Sequence, residues 1–105
     1  MLDNLSTTEL EILEEIKLVI DPEVEINVVD LGLIYKIKHN EAEKEIDIDA
    51  TLSARGCPVG DTILMQIETV VQEAFPGYTV NVELVWEPRW TPEMITAEGK
   101  AALNR

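Results

Sequence analysis

Glu45-Ile46-Asp47-Ile48-Asp49-Ala50-Thr51-Leu52 is the stretch on which the fold turns. Ile46, Ile48, Ala50 and Leu52 alternate with Glu45, Asp47, Asp49 and Thr51. A period of two sends one set to the core face of a strand and the other towards water. Upstream, Asn40 to Lys44 is polar and reads as a turn. Before it, Val28 to Lys38 reads as another strand, with Leu33, Tyr35 and Ile37 alternating with Ile34, Lys36 and Lys38. Two such runs joined by a short polar turn predict an antiparallel hairpin. Asp30 and Gly32 interrupt its first part, and Gly32 marks a bulge or a close backbone approach.

Downstream, Ser53 to Gly60 reads as a loop, and Ile63, Ile67, Val70, Val71 and Ala74 then form one helical stripe. Pro76-Gly77 ends that helix. Val80, Val82, Leu84 and Trp86 alternate with Thr79, Asn81, Glu83 and Val85, which predicts a third strand. The helix between the second and third strands is long enough to be a crossover, so these strands run parallel if adjacent. At the start, Ser6 and Glu9 match a capping box. Leu10, Leu13, Ile16, Val19 and Ile20 follow at helical spacing, and Asp21-Pro22 stops a helix placed at about residues 7–19. A proline- and tryptophan-containing segment at 86–92 precedes a last helix at about Thr96 to Leu103. The order α-β-β-α-β-α predicts an α+β two-layer sandwich, with a small three-stranded mixed sheet packed on helices in a single domain spanning residues 1–105.

The 105 residues carry 21 acidic against 8 basic side chains, a net charge of −13. Residues 1–49 hold 14 acids and 4 bases, and residues 50–105 hold 7 acids and 4 bases. This balance argues against nucleic acid and against an anionic membrane surface, both of which need a basic footprint. It suits a basic protein partner or a bound cation, and equally a plain solvated surface. One cysteine, Cys57, leaves no internal disulfide and no CxxC pair. No uncharged run approaches the roughly 20 residues of a membrane span, and the acidic start is unlike a secretory signal. A cytoplasmic location is the expectation.

Cys57 lies in a Gly-Cys-Pro turn ahead of the second helix. With Pro58 at the first helical position, Cys57 is the N-cap, facing free N–H groups and the positive end of the helix dipole. Both favour the thiolate. A rival reading makes Asp61 the N-cap and leaves Cys57 in the loop; Arg55 supports the thiolate either way. The bland alternative is a small buried apolar cysteine. Asp21 and Glu23 flank a rigid proline, as hard-cation ligands, as a proton acceptor, or simply as a polar helix stop. Asp30 reads as the cap of a turn. Thr51 and Ser53 sit at a strand end, placed to hydrogen-bond a thiolate or ligand, or merely solvated. Trp86 reads mostly as core, and Trp90 as the better candidate for a partner surface. His39 reads as a solvated turn residue. With no nearby base, a Cys–His catalytic pair is poorly supported. A complete cluster site usually needs about four ligands. This chain offers one good soft ligand, so a metal–sulfur species would be held transiently or shared with a partner.

Four ordered motifs carry a resemblance. They are Asp21-Pro22-Glu23, Val28-Val29-Asp30-Leu31-Gly32-Leu33-Ile34-Tyr35, Thr51-Leu52-Ser53 with Gly56-Cys57-Pro58, and Trp86 with Pro88, Trp90, Thr91 and Pro92. Together they resemble the SufT- and PaaD-like family of metal–sulfur cluster assembly factors, from about residue 6 to the C-terminus. The resemblance implies a small α+β domain and a non-enzymatic, auxiliary role in delivering or inserting iron–sulfur clusters. It implies that Asp21, Glu23, Thr51 and Cys57 converge on one cofactor-binding site, with Cys57 as the metal ligand of a transient cluster or iron. Its expected partners are iron–sulfur scaffold or client proteins, or a second copy in a homodimer. Trp90 and Arg89 form the partner-binding candidate. Two departures stand out: Ala54-Arg55 where the family commonly has Thr-Pro, and Glu87 and Arg89 where it commonly has Asp and Pro. The missing cysteine-rich C-terminal segment favours the SufT-like branch over a PaaD-like accessory of an aromatic-ring oxygenase. A client-recruiting adaptor with no cluster of its own is the other alternative.

Overall fold

The computed structural model describes residues 4–53 and 60–103. Helix α1 spans Thr7–Ile16. The short strands β1 (Ile20–Asp21) and β2 (Ile26–Asn27) form an antiparallel ribbon. Strands β3 (Ile34–Asn40) and β4 (Glu45–Ala50) form the expected hairpin. Helix α2 (Gly60–Ala74) then leads to β5 (Thr79–Leu84), which lies parallel to β4. A 3-10 turn at Pro92–Met94 precedes α3 (Ala97–Leu103). The main sheet has the order β3-β4-β5, as the α+β reading requires.

The core lies between this sheet and the helices. Ile12 and Ile16 of α1 and Ile63, Ile67 and Val71 of α2 meet Ile34, Ile37, Ile46, Ile48, Ala50 and Val80. On α2 and β4 these are the positions that the periodicities select, whereas on α1 Ile12 is buried in place of Leu10, which is 50% exposed, and on β3 Ile34 joins Ile37 in the core. Ser6 Oγ accepts from Glu9 N at 3.1 Å and Glu9 Oε1 accepts from Ser6 N at 2.9 Å, which completes the capping box. The other Glu9 oxygen accepts from His39 N at 3.0 Å, tying the start of α1 to the end of β3.

The structure departs from the sequence reading at four places. Helix α1 ends at Ile16, because the chain needs the residues after it to enter the β1–β2 ribbon. Residues 28–33 turn rather than extend: Leu31 N donates to Asn27 O, Gly32 N to Val29 O and Leu33 N to Val28 O. Burial along β5 fades from Val80 to Leu84, which is 36% exposed, and Trp86 lies beyond its end. His39 belongs to β3 and not to the turn, and its side chain is mostly covered. Among the described residues no helix is long and apolar enough to cross a membrane.

Candidate functional site

The site builds outward from the end of β4. Thr51 follows the last residue of that strand, and its N–H donates to Leu33 O at 2.8 Å. Thr51 is 1% exposed, and its Oγ1 makes no hydrogen bond of ordinary length and angle among the described residues, although the Tyr35 phenol lies close enough to interact with it. A buried hydroxyl left without a well-formed hydrogen bond costs up to about 1–3 kcal/mol, so one at this place needs a reason. Thr51 is therefore not the solvated strand end that the sequence allowed, whereas Ser53 is exposed. The outer, polar side of the strand is covered here.

Tyr35 lies beside Thr51. The β3–β4 register shifts between Ile34 and Lys36, which leaves Tyr35 as the extra residue of a bulge. Bulges re-aim side chains. Ile34 and Tyr35 are consequently both buried, where strict alternation would expose one. Tyr35 Oη donates to Met94 Sδ at 3.4 Å. Burial pushes the Tyr35 phenol up, while the adjacent Thr51 hydroxyl acts in the opposite direction.

The C-terminal segment is locked over the turn at residues 28–33. Trp90 Nε1 donates to Leu31 O at 2.8 Å, and Thr96 N donates to Asp30 O at 2.8 Å. Gly32 has φ +79°, and a Cβ there would overlap the Met94 carbonyl. The expected close backbone approach is thus identified as Gly32 against Met94. Asp30 has a structural role, but the side chain that caps the turn is that of Asn27, and the Asp30 carboxylate pairs with the Asn27 amide and not with a backbone N–H. Asp30 N donates to Asn27 Oδ1 at 2.8 Å, and Asp30 Oδ2 accepts from Asn27 Nδ2 at 2.9 Å.

Asp21 is half-buried in β1, and its Oδ1 accepts from Glu23 N at 2.8 Å. Glu25 N donates to Asp21 O at 2.8 Å, with Glu25 itself at φ +59°. The Asp21 carboxylate therefore shapes its own turn through Oδ1, and no hydrogen bond from a described residue engages its other oxygen. Glu23 is exposed. No hydrogen bond among the described residues joins Asp21 or Glu23 to Thr51. Cys57 and Arg55 lie outside the described residues. Asp61 falls inside α2 and does not cap it. Trp90 is partly buried against the core, with its indole N–H spent on Leu31, while Arg89 is exposed. Among the described residues no three His, Cys, Asp or Glu side chains gather to hold a metal ion.

Sequence reasoning missed Tyr35 as a neighbour of Thr51, and Met94 as the partner of Tyr35. One signal was available for Tyr35: Leu33-Ile34-Tyr35 is an unbroken apolar run in a strand that otherwise alternates. Nothing local marks Met94, because it arrives from 59 positions away.

The architecture defines a class first: a small α+β domain with a parallel β4–α2–β5 unit and a capped, bulged hairpin. The sequence profile of the family described as iron–sulfur cluster assembly protein matches residues 9–84. The chain belongs to that family. It is 41% identical over 87 residues to the Fe-S protein maturation auxiliary factor SufT of Staphylococcus aureus, covering 83% of this chain and 98% of that protein. It is 33% identical over 97 residues to an Fe-S protein maturation auxiliary factor of Porphyromonas gingivalis, covering 92% of this chain and 91% of the other. Among solved structures, a Bacillus anthracis domain of unknown function, DUF59, superposes with a TM-score of 0.85 at 30% identity, covering 91% of both chains.

Proposed function

We propose that the protein is an auxiliary factor in the maturation of iron–sulfur proteins, and that it handles the cluster through Cys57. The observation that carries this reading is the buried hydroxyl of Thr51, without a well-formed hydrogen bond among the described residues, at the strand end that leads into Gly56-Cys57-Pro58. A family of cluster assembly proteins supplies the context. The cluster is cargo. Cys57 contributes a thiolate to iron, and Thr51 donates a hydrogen bond to that sulfur or to a sulfide of the cluster. Such a bond to a charged acceptor is worth about 1.5–3 kcal/mol. The second carboxylate oxygen of Asp21 orients the loop or meets the iron, and Glu23 stands exposed beside it.

A cluster needs about four ligands, and this chain supplies too few to retain one. The remaining ligands come from a second copy or from the scaffold or client that hands over or receives the cluster. Weak retention suits delivery, since a carrier must release its load. The role is transfer without turnover of a substrate, so the chain acts as a factor and not as an enzyme.

The test is activation of an apo iron–sulfur enzyme under anaerobic conditions, with iron, sulfide and the purified protein. Wild type is expected to accelerate activation. Cys57→Ala is expected to abolish the acceleration, and Thr51→Val to reduce it about tenfold or more, the loss of one charge-assisted hydrogen bond. Equal activation by wild type and Cys57→Ala would overturn the thiol mechanism.

A further inference from the structure

A groove of about 440 Å³ runs between the end of α1 and the outer face of α2. Val19 and Val70 line it, with Leu18 and Met65 alongside. Leu18 is 66% exposed and Met65 is 67% exposed. The sequence reading had placed the partner surface elsewhere, at Trp90 and Arg89. Scattered exposed apolar residues are ordinary, but apolar side chains converging on one groove mark an interaction surface.

The charge around the groove says what fits it. Helix α1 carries Glu9, Glu11, Glu14 and Glu15, helix α2 carries Asp61, Glu68 and Glu73, and neither contains Lys or Arg. Lys17, next to Leu18 in the chain, is paired with Glu14 at 3.4 Å. On α2, Asp61 and Glu68 lie within one turn on either side of Met65. The groove's own lining is uncharged, and the acids nearest to it along the chain are Glu14 and Glu15 at the end of α1 and Asp61 and Glu68 beside Met65. A second copy of this chain would bring the same acids face to face, which like charges oppose.

We infer that this groove docks a basic amphipathic helix of a protein partner. Its apolar side chains seat between Leu18 and Met65, and its Lys and Arg residues face the acids of α1 and α2. This is the helix-in-groove mode of recognition. The position has a use. Leu18 leads directly into β1 and Asp21, and Thr62, which lines the groove, lies in the first turn of the helix after Cys57. A docked partner is held beside the segments assigned to cluster handling.

The experiment is an NMR titration of the isotope-labelled full chain with a synthetic amphipathic helical peptide of leucine and lysine. It contains no iron or sulfide and does not depend on Cys57, so its failure is separate from failure of the cluster mechanism. Shifts are expected to concentrate at Leu18, Met65, Gln66 and Thr69. Leu18→Ser and Met65→Ser keep the net charge and alter exposed positions, so they fold. Each is expected to weaken binding about tenfold, the loss of one anchor. The glutamate counterpart of the peptide is expected not to bind. Shifts spread over all acidic surfaces with equal affinity in both variants would reveal unspecific attraction and overturn the proposal. Concentration-dependent shifts at the groove without peptide would assign it to a second copy, and would overturn the proposal as well.

Discussion

Thr51 and Gly32 carry the clearest consequences at the scale of single residues. The Thr51 hydroxyl is buried and makes no well-formed hydrogen bond among the described residues, so it adds little to the isolated fold and stays available to a docked group. Thr51→Val is expected to unfold in urea at equal or higher concentration than wild type, with a gain of up to about 1–2 kcal/mol, while losing cluster delivery. A clear loss of stability would assign the hydroxyl a structural role. Gly32 is the opposite case, since its φ of +79° and its closeness to Met94 leave no room for a side chain. Gly32→Ala is expected to cost about 1–2 kcal/mol for the left-handed backbone and about 1–3 kcal/mol for the overlap, read from the same urea transitions. The residue types at both positions were legible in the sequence, and Gly32 was read as a close approach. What covers Thr51 was not legible. The bulge at Tyr35 and the return of Met94 depend on contacts between distant segments, which no local period encodes.

The β3–β4 hairpin shows how elements are tied together, and its turn is open to test by pH. Lys44 Nζ lies 2.6 Å from Glu41 Oε1, Tyr78 Oη donates to Glu41 Oε2, and His39 Nε2 lies 3.1 Å from the same oxygen. Lys44 first, then Tyr78, hold the Glu41 carboxyl down to about 2, against 4.5 for the free group. A lowered carboxylate pKa stabilises the fold fully above the ordinary value and is lost as pH falls through the lowered one. An NMR titration of the glutamate side chains is therefore expected to place Glu41 near 2, and Lys44→Ala to raise it. A midpoint at the ordinary value would mean that the clamp does not hold in solution. The hairpin, the first helix and the parallel crossover could be read from periodicity, because each buries a largely regular stripe. The β1–β2 ribbon and the turn at residues 28–33 could not. Two-residue strands leave no period to detect, and the turn's apolar residues look like a strand until the C-terminal segment packs on them.

At the scale of the whole molecule, charge and fold divide the work. A net charge of −13 is concentrated in the first half of the sequence, while Cys57 sits in the half nearer neutrality. Such a charge draws basic partners. The parallel β4–α2–β5 unit frames the segment that holds Cys57, since Thr51 closes its strand side and Gly60 opens its helix side. The account therefore expects a cluster to be bound weakly and with help from a second chain. The most direct test is anaerobic reconstitution with iron and sulfide, followed by iron and sulfide analysis of wild type and Cys57→Ala. The account predicts a thiolate-to-iron absorption band and bound iron and sulfide at less than one cluster per chain in wild type, and neither in Cys57→Ala. Equal iron and sulfide in both proteins, or none in either, would contradict it.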